Sequence, residues 1–125
     1  MSVTYAAKYG NRKTQIDNVV FDSYVEAERY LFLKARMQAR EITGLALQPK
    51  YELQPSFKRN GKTVKAITYT ADFEYFEGET CVVEDVKGFE TQQFRLRQKM
   101  FLYHYPEHDL RIVKGAKKRR GEMPF

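Results

Sequence analysis

Apolar and polar residues alternate through "KAITYTADFEYF", where Ile67, Tyr69, Ala71, Phe73 and Tyr75 are separated by Thr68, Thr70, Asp72 and Glu74. A period of two is the signature of a strand with one apolar face, so the pattern predicts one long strand. Glu77-Gly78 turns the chain back, and "TCVVEDVK" forms the next strand. Upstream, "TQI" and "VVF" flank Asp17-Asn18 and predict a short hairpin, while Asn60-Gly61 is among the strongest short hairpin signals because both residues tolerate positive φ. "LALQPKYELQPSF", residues 45–57, contains Pro49 and Pro55, which exclude a helix interior and suit an edge strand with irregular ends.

Two segments break the period of two. "SYVEAERYLFLKARMQARE" has neither Gly nor Pro from 23 to 41, and Ser23 with Glu26 three residues on forms a capping box, so a helix is predicted there. Tyr30, Leu33 and Met37 recur at helical spacing, and Glu26 begins the same stripe. Thr91 caps a second helix through "QQFRLRQKMFLYHY", which Pro106 ends. "LRIV", residues 110–113, is a last short strand. The predicted order is hairpin, helix, three-strand antiparallel meander, helix, strand. This is an α+β fold, one domain over residues 1–113 with its core at about 23–113, followed by a basic tail, 114–125.

Composition narrows the function classes. The 125 residues suit a single domain, and the apolar fraction of 42% with nine Tyr and nine Phe is that of a globular protein. No stretch approaches the roughly 20 apolar residues that span a bilayer. Cys81 is the single cysteine and "MSVTYAAKYGNRK" has no apolar leader core, so a reducing, cytoplasmic setting is expected. Lys and Arg outnumber Asp and Glu by 22 to 16, a net charge of +6 that favours a polyanionic partner. The excess is clustered in "KGAKKRRG", with Lys117, Lys118, Arg119 and Arg120, and in "SFKRNGKTVK". There is no G-x-x-x-x-G-K-[ST] loop, so no nucleotide cofactor is expected, and His104 and His108 lack zinc-ligand spacing.

The hairpin register brings the candidate chemistry together. With Glu77 and Gly78 as a two-residue loop, Asp72 lies opposite Val83, and Asp85 is its diagonal neighbour at about 7–8 Å between Cα atoms. Lys87 shares their face and Glu84 points to the other side. Two such carboxylates suit Mg²⁺, a hard cation that takes oxygen ligands together with waters and phosphate.

At these positions the chain resembles the PD-(D/E)XK, or restriction-endonuclease-like, nucleases. Their pattern, an acid on one strand, (D/E)-x-K on the next and often a Glu on the preceding helix, is matched by Asp72 in "TADF", Asp85 and Lys87 in "DVK", and Glu26 in "SYVEAERY". "YGNRKTQIDNVVFDS", "LQPKYELQP", "ITYTADFEY" and "VVEDVKGF" further resemble a family of small bacteriophage proteins of unknown function, placed by similarity among these nucleases and in part described as resolvase-like. The resemblance implies a Mg²⁺-dependent DNA endonuclease, with Mn²⁺ as substitute, acting on branched or Holliday-junction DNA in the cytoplasm of an infected or lysogenic bacterial host. It implies that Asp72, Asp85 and Glu26 serve the metal and that Lys87 orients the nucleophile. A homodimer would suit paired cuts on a junction. The pattern's Pro before the first acid is Ala71 here.

Each residue also has a plainer reading. Glu26 is explained by the capping box alone, Asp72 and Lys87 by a cross-strand ion pair on a solvated face, and Glu84 by pairing with a lysine of a neighbouring strand. Arg95 and Lys99, one turn apart on the second helix, either meet a phosphate or form a solvated basic face. Gln92 and Gln93 could hold a strand or a water. Phe94, Phe101 and Tyr105 fall at helical spacing and read as core rather than a base-stacking platform. The basic tail would add salt-dependent attraction to DNA. The rival function is a DNA-binding or host-protein-binding module that keeps the fold without cutting.

Overall fold

Asp17 and Asn18 take φ of 52° and 63°, the left-handed pair that a two-residue hairpin turn demands. They join β2 (Asn11–Ile16) to β3 (Val19–Phe21), and β1 (Tyr5–Lys8) adds a third antiparallel strand that the hydrophobic pattern does not announce. The computed structural model describes residues 5–8 and 11–114, so the basic tail from 115 on lies outside the described residues.

Helix α1 (Tyr24–Gln38) starts where expected, with the Ser23 hydroxyl accepting the Glu26 N–H at 3.1 Å. It stops three residues short of 41. Arg40 adopts φ 64°, its N–H turns back to Met37 O and the Glu41 N–H to Arg36 O, a closure that satisfies the last carbonyls. Ala27, Tyr30 and Leu33 form the buried stripe, whereas Met37 is exposed.

The predicted edge strand over 45–57 is two strands. Gln48, at φ 52°, and Pro49 separate β4 (Thr43–Leu47) from β5 (Lys50–Gln54). The short hairpin β6 (Phe57–Arg59) and β7 (Lys62–Val64) follows, turning at Asn60-Gly61, and then β8 (Ile67–Thr70). The predicted long strand is also broken, at Ala71-Asp72, before β9 (Phe73–Glu77). The two breaks face each other: β4 pairs with β9 and β5 with β8 in one continuing antiparallel register, so the paired segments are interrupted together where Gln48 and Pro49 lie opposite Asp72 and Ala71. Gln48 N–H donates to Asp72 O at 2.9 Å and Ala71 N–H to Pro49 O at 3.0 Å across that junction.

After β10 (Thr80–Lys87), α2 (Gln92–His104) leads to β11 (Asp109–Lys114). The central sheet has the order β11-β10-β9-β4, antiparallel except for the parallel pair β10 and β11. Its three antiparallel strands are not a simple meander, because β5 to β8 intervene between β4 and β9. The fold is α+β. Among the described residues, no helix is long and apolar enough to cross a membrane.

The sheet divides the core. On one side Val82, Val86, Phe73 and Tyr75 pack with Ala27, Tyr30 and Leu33 of α1 and with Ile16 and Phe21. On the other, Val83, Tyr69 and Ala71 pack with Tyr51, Leu53, and Phe94 and Phe101 of α2. Alternation from Tyr69 to Tyr75 therefore persists in burial but not in face: the bend at Asp72 moves the apolar side from the α2 core to the α1 core.

Candidate active site

The β9 and β10 hairpin turns at Gly78-Glu79, with Gly78 at φ 59°, so Glu77 pairs with Thr80 and Phe73 with Glu84. This register is two residues from the predicted one. A slip of two preserves which face each side chain takes. It moves Asp72 from the diagonal of Asp85 to a place beside it, one step beyond the last paired residues.

Alternation along β10 sends neighbouring acids to opposite sides. Glu84 turns with Val82 and Val86 toward α1, where Arg29 Nε donates to its Oε1 and an Arg29 terminal nitrogen to its Oε2, each at 2.7 Å. The Tyr75 hydroxyl donates to the same carboxylate, and burial followed by that bond pushes the Tyr75 phenol up to about 12. Glu84 is thus a fully compensated structural acid, paired with a helix arginine rather than a strand lysine.

Asp85 turns the other way and is equally buried. Its Oδ2 accepts the Tyr69 hydroxyl at 2.6 Å and its Oδ1 lies 3.2 Å from Lys87 Nζ. Burial and the bond to Asp85 raise the Tyr69 pKa, which keeps that hydroxyl a donor. Asp72 is held at the end of the ladder by its own backbone N–H, which donates to Glu84 O at 3.0 Å, and by the Val86 N–H, which donates to Asp72 Oδ2 at 2.7 Å. The Asp85 carboxyl opposes ionisation of the Asp72 carboxyl at this end of the ladder. Burial foremost, with the charges of Glu26 and Asp85 adding to it against the Val86 N–H, pushes Asp72 up to about 8. Glu26 is raised too, by burial and by Asp22, with Lys87 opposing.

One ammonium thus faces three acids at the end of the sheet. Lys87 Nζ also lies 4.7 Å above the Phe94 ring. It opens onto a cleft of about 300 Å³ lined by Thr68, Thr70, Thr91, Gln93 and Arg97.

Hard oxygen donors that share a buried surplus of negative charge suit a divalent cation such as Mg²⁺. Two carboxylates fit such an ion, since Mg²⁺ is usually held by one or two, with waters and substrate oxygens completing the shell. Glu26 stands farther out: among the described residues no three Asp, Glu, His or Cys side chains converge closely enough to hold one metal ion. Its electrostatic link to Asp72 and Lys87 is nevertheless direct, and the Asp22 backbone favours its charged form.

A family model described as "Protein of unknown function (DUF1064)" matches residues 6–120. The chain belongs to the DUF1064 family. That match contains Glu26, Asp72, Asp85 and Lys87. No curated protein and no solved structure matches the chain.

Other predicted residues of this DUF1064 chain fall differently. Arg95 and Lys99 are exposed and do not line the cleft, while Arg97, which the sequence reading passes over, does, its Nε donating to Thr68 O at 3.1 Å. The signal for Arg97 was its place three residues after Phe94, on the core-facing stripe that also holds Phe101. Gln93 lines the cleft and Gln92 does not. Phe94 and Phe101 are buried core, as expected, and Tyr105 stacks on Phe101 at 5.1 Å. His108 packs edge-on against Tyr51, Phe101 and Tyr105. Lys117, Lys118, Arg119 and Arg120 lie outside the described residues.

Proposed function

We propose that this DUF1064 protein is a Mg²⁺-dependent DNA endonuclease of the PD-(D/E)XK type. The observation that carries the reading is the placing of Asp72 beside Asp85 at the end of the β9 and β10 hairpin, the Asp72 carboxylate held by the Val86 N–H and Lys87 paired to Asp85. The element order around them, a helix, three antiparallel strands, a helix and a parallel strand, supports the same reading. Asp72 and Asp85 would hold the ion, Mg²⁺ or Mn²⁺. When bound, such an ion lowers the pKa of an attacking water and offsets charge on the phosphate.

The remaining work belongs to the chain. Tyr69 and the Val86 N–H each occupy one oxygen of an acid and so fix the orientation of both carboxylates. Lys87, tethered between Asp85 and the Phe94 ring, sits where it can orient the nucleophilic water and stabilise charge that develops on the phosphate. Glu26 adds negative charge that would favour a cation at the pair, and its carboxylate could accept a proton from a nearby water. The net charge of +6 suits a DNA substrate, and branched recombination intermediates are the substrates to test first.

The test is cleavage of a panel of four-way junction, flap, single-stranded and duplex DNA, with an RNA arm, in Mg²⁺ or Mn²⁺. Wild type should cut, and Asp85→Ala should abolish cutting while leaving DNA binding. If no substrate is cut, metal leaves thermal stability unchanged and Asp72→Asn and Asp85→Asn keep function, the chain is a binding module instead.

A further inference from the structure

The β6 and β7 hairpin forms a two-stranded sheet of its own, and every residue from 55 to 66 is exposed. Those residues include Lys58, Arg59, Lys62 and Lys65 and no acid. Among the described residues, none of the four cations is in an ion pair. Arg59 pairs with Lys62 directly across the strands beside the Asn60-Gly61 turn, and like charges so placed destabilise a hairpin. A lone two-stranded ribbon is itself marginal in water. Local stability therefore does not explain this composition, and an external polyanion does.

The register says how such a partner lies. Phe57, Arg59, Lys62 and Val64 share one face of the ribbon, and Lys58 and Thr63 share the other. A ribbon lying flat on an anionic surface needs its cations on one face. Cations on both faces suit a ribbon seated between two rows of phosphates, and the major groove of B-form DNA, about 12 Å wide, admits a two-stranded ribbon. The A-form groove of duplex RNA is too deep and narrow for it. We infer that the β6 and β7 hairpin is a duplex-DNA arm that inserts into the major groove, with Arg59 and Lys62 at its tip and Phe57 and Val64 at its base.

The arm is tested by binding alone, in EDTA, so that its failure is distinct from failure of the nuclease reading. Fluorescence anisotropy with short duplex DNA and duplex RNA is measured across a salt series for wild type and for the variant K58Q/R59Q/K62Q/K65Q. For DNA the slope of log affinity against log salt should fall by about three in the variant, with affinity lost by about tenfold or more at 0.1 M salt. RNA binding should change much less. A second variant, R59E, places opposite charges across the tip, so it should melt at or above the wild-type temperature while it weakens duplex-DNA binding. An unchanged DNA slope, as expected for a protein-docking hairpin, overturns the proposal, and equal losses on DNA and RNA overturn the groove assignment.

Discussion

Glu84 and Asp85 are consecutive, both fully buried, and opposite in circumstance. Glu84 meets a two-pronged guanidinium and a phenol, so its charge is matched on the α1 side of the sheet. Asp85 meets one ammonium while Asp72 and Glu26 crowd the same end of the sheet, so charge there is left unmatched. Burial alone therefore does not mark a working site. On the proposed reading the mark is Asp72, a buried acid whose acidic neighbours add to its cost, as functional sites give up stability for chemistry.

The largest effect on stability should come from breaking the matched side. Arg29→Ala leaves Glu84 buried without its cation and should cost about 3–5 kcal/mol in urea unfolding, whereas Asp85→Asn on the other face should change stability by less than about 1 kcal/mol or raise it. Equal losses from the two would erase the distinction. Arg29→Lys should not rescue fully, because an ammonium cannot reproduce the two-pronged contact.

A smaller, opposite effect is expected at Asp72. Its pKa is raised from 3.8 to about 8, so holding it protonated in the folded state costs nothing well below the ordinary value and progressively more as pH climbs toward 8. Asp72→Asn should stabilise the metal-free protein by about 1–2 kcal/mol near pH 7 and by almost nothing near pH 3.5, as read from thermal melts. Added Mg²⁺ or Mn²⁺ should raise the melting temperature of wild type and not that of the variant.

The smallest effect sharpens the contrast from the far end of the same hairpin. Arg111 and Arg36 hold Glu77 down from 4.5 to about 2, the reverse of the Asp72 case. Its contribution is complete above pH 4.5 and is lost as pH falls toward 2. Glu77→Gln should flatten that part of the acid limb, by less than about 1 kcal/mol because the pair is partly solvated.

Much of this was legible in the sequence, for physical reasons that also set the limits. Strand parity on β10 divided Glu84 from Asp85 and put Asp72 and Lys87 with Asp85, and that division survived a two-residue error in register because parity repeats every two residues. The helix starts were readable because Ser23 and Thr91 carry their capping chemistry locally. The break at Asp72 was not, since alternation runs through it unbroken and the matching interruption lies at Gln48 and Pro49 on the distant paired segment. Nor was the Arg29 partner of Glu84, 55 residues away, or the Tyr69 hydroxyl on Asp85. Periodicity reports which residues are buried and is silent about which core receives them.

The most direct measurement of the central claim is Mg²⁺-dependent DNA cleavage by wild type, Asp85→Ala and Glu84→Gln, each assayed at a temperature where circular dichroism shows it folded. The account predicts cutting by wild type, none by Asp85→Ala and retained cutting by Glu84→Gln. Cleavage that survives in Asp85→Ala, or is lost equally in a folded Glu84→Gln, would contradict it.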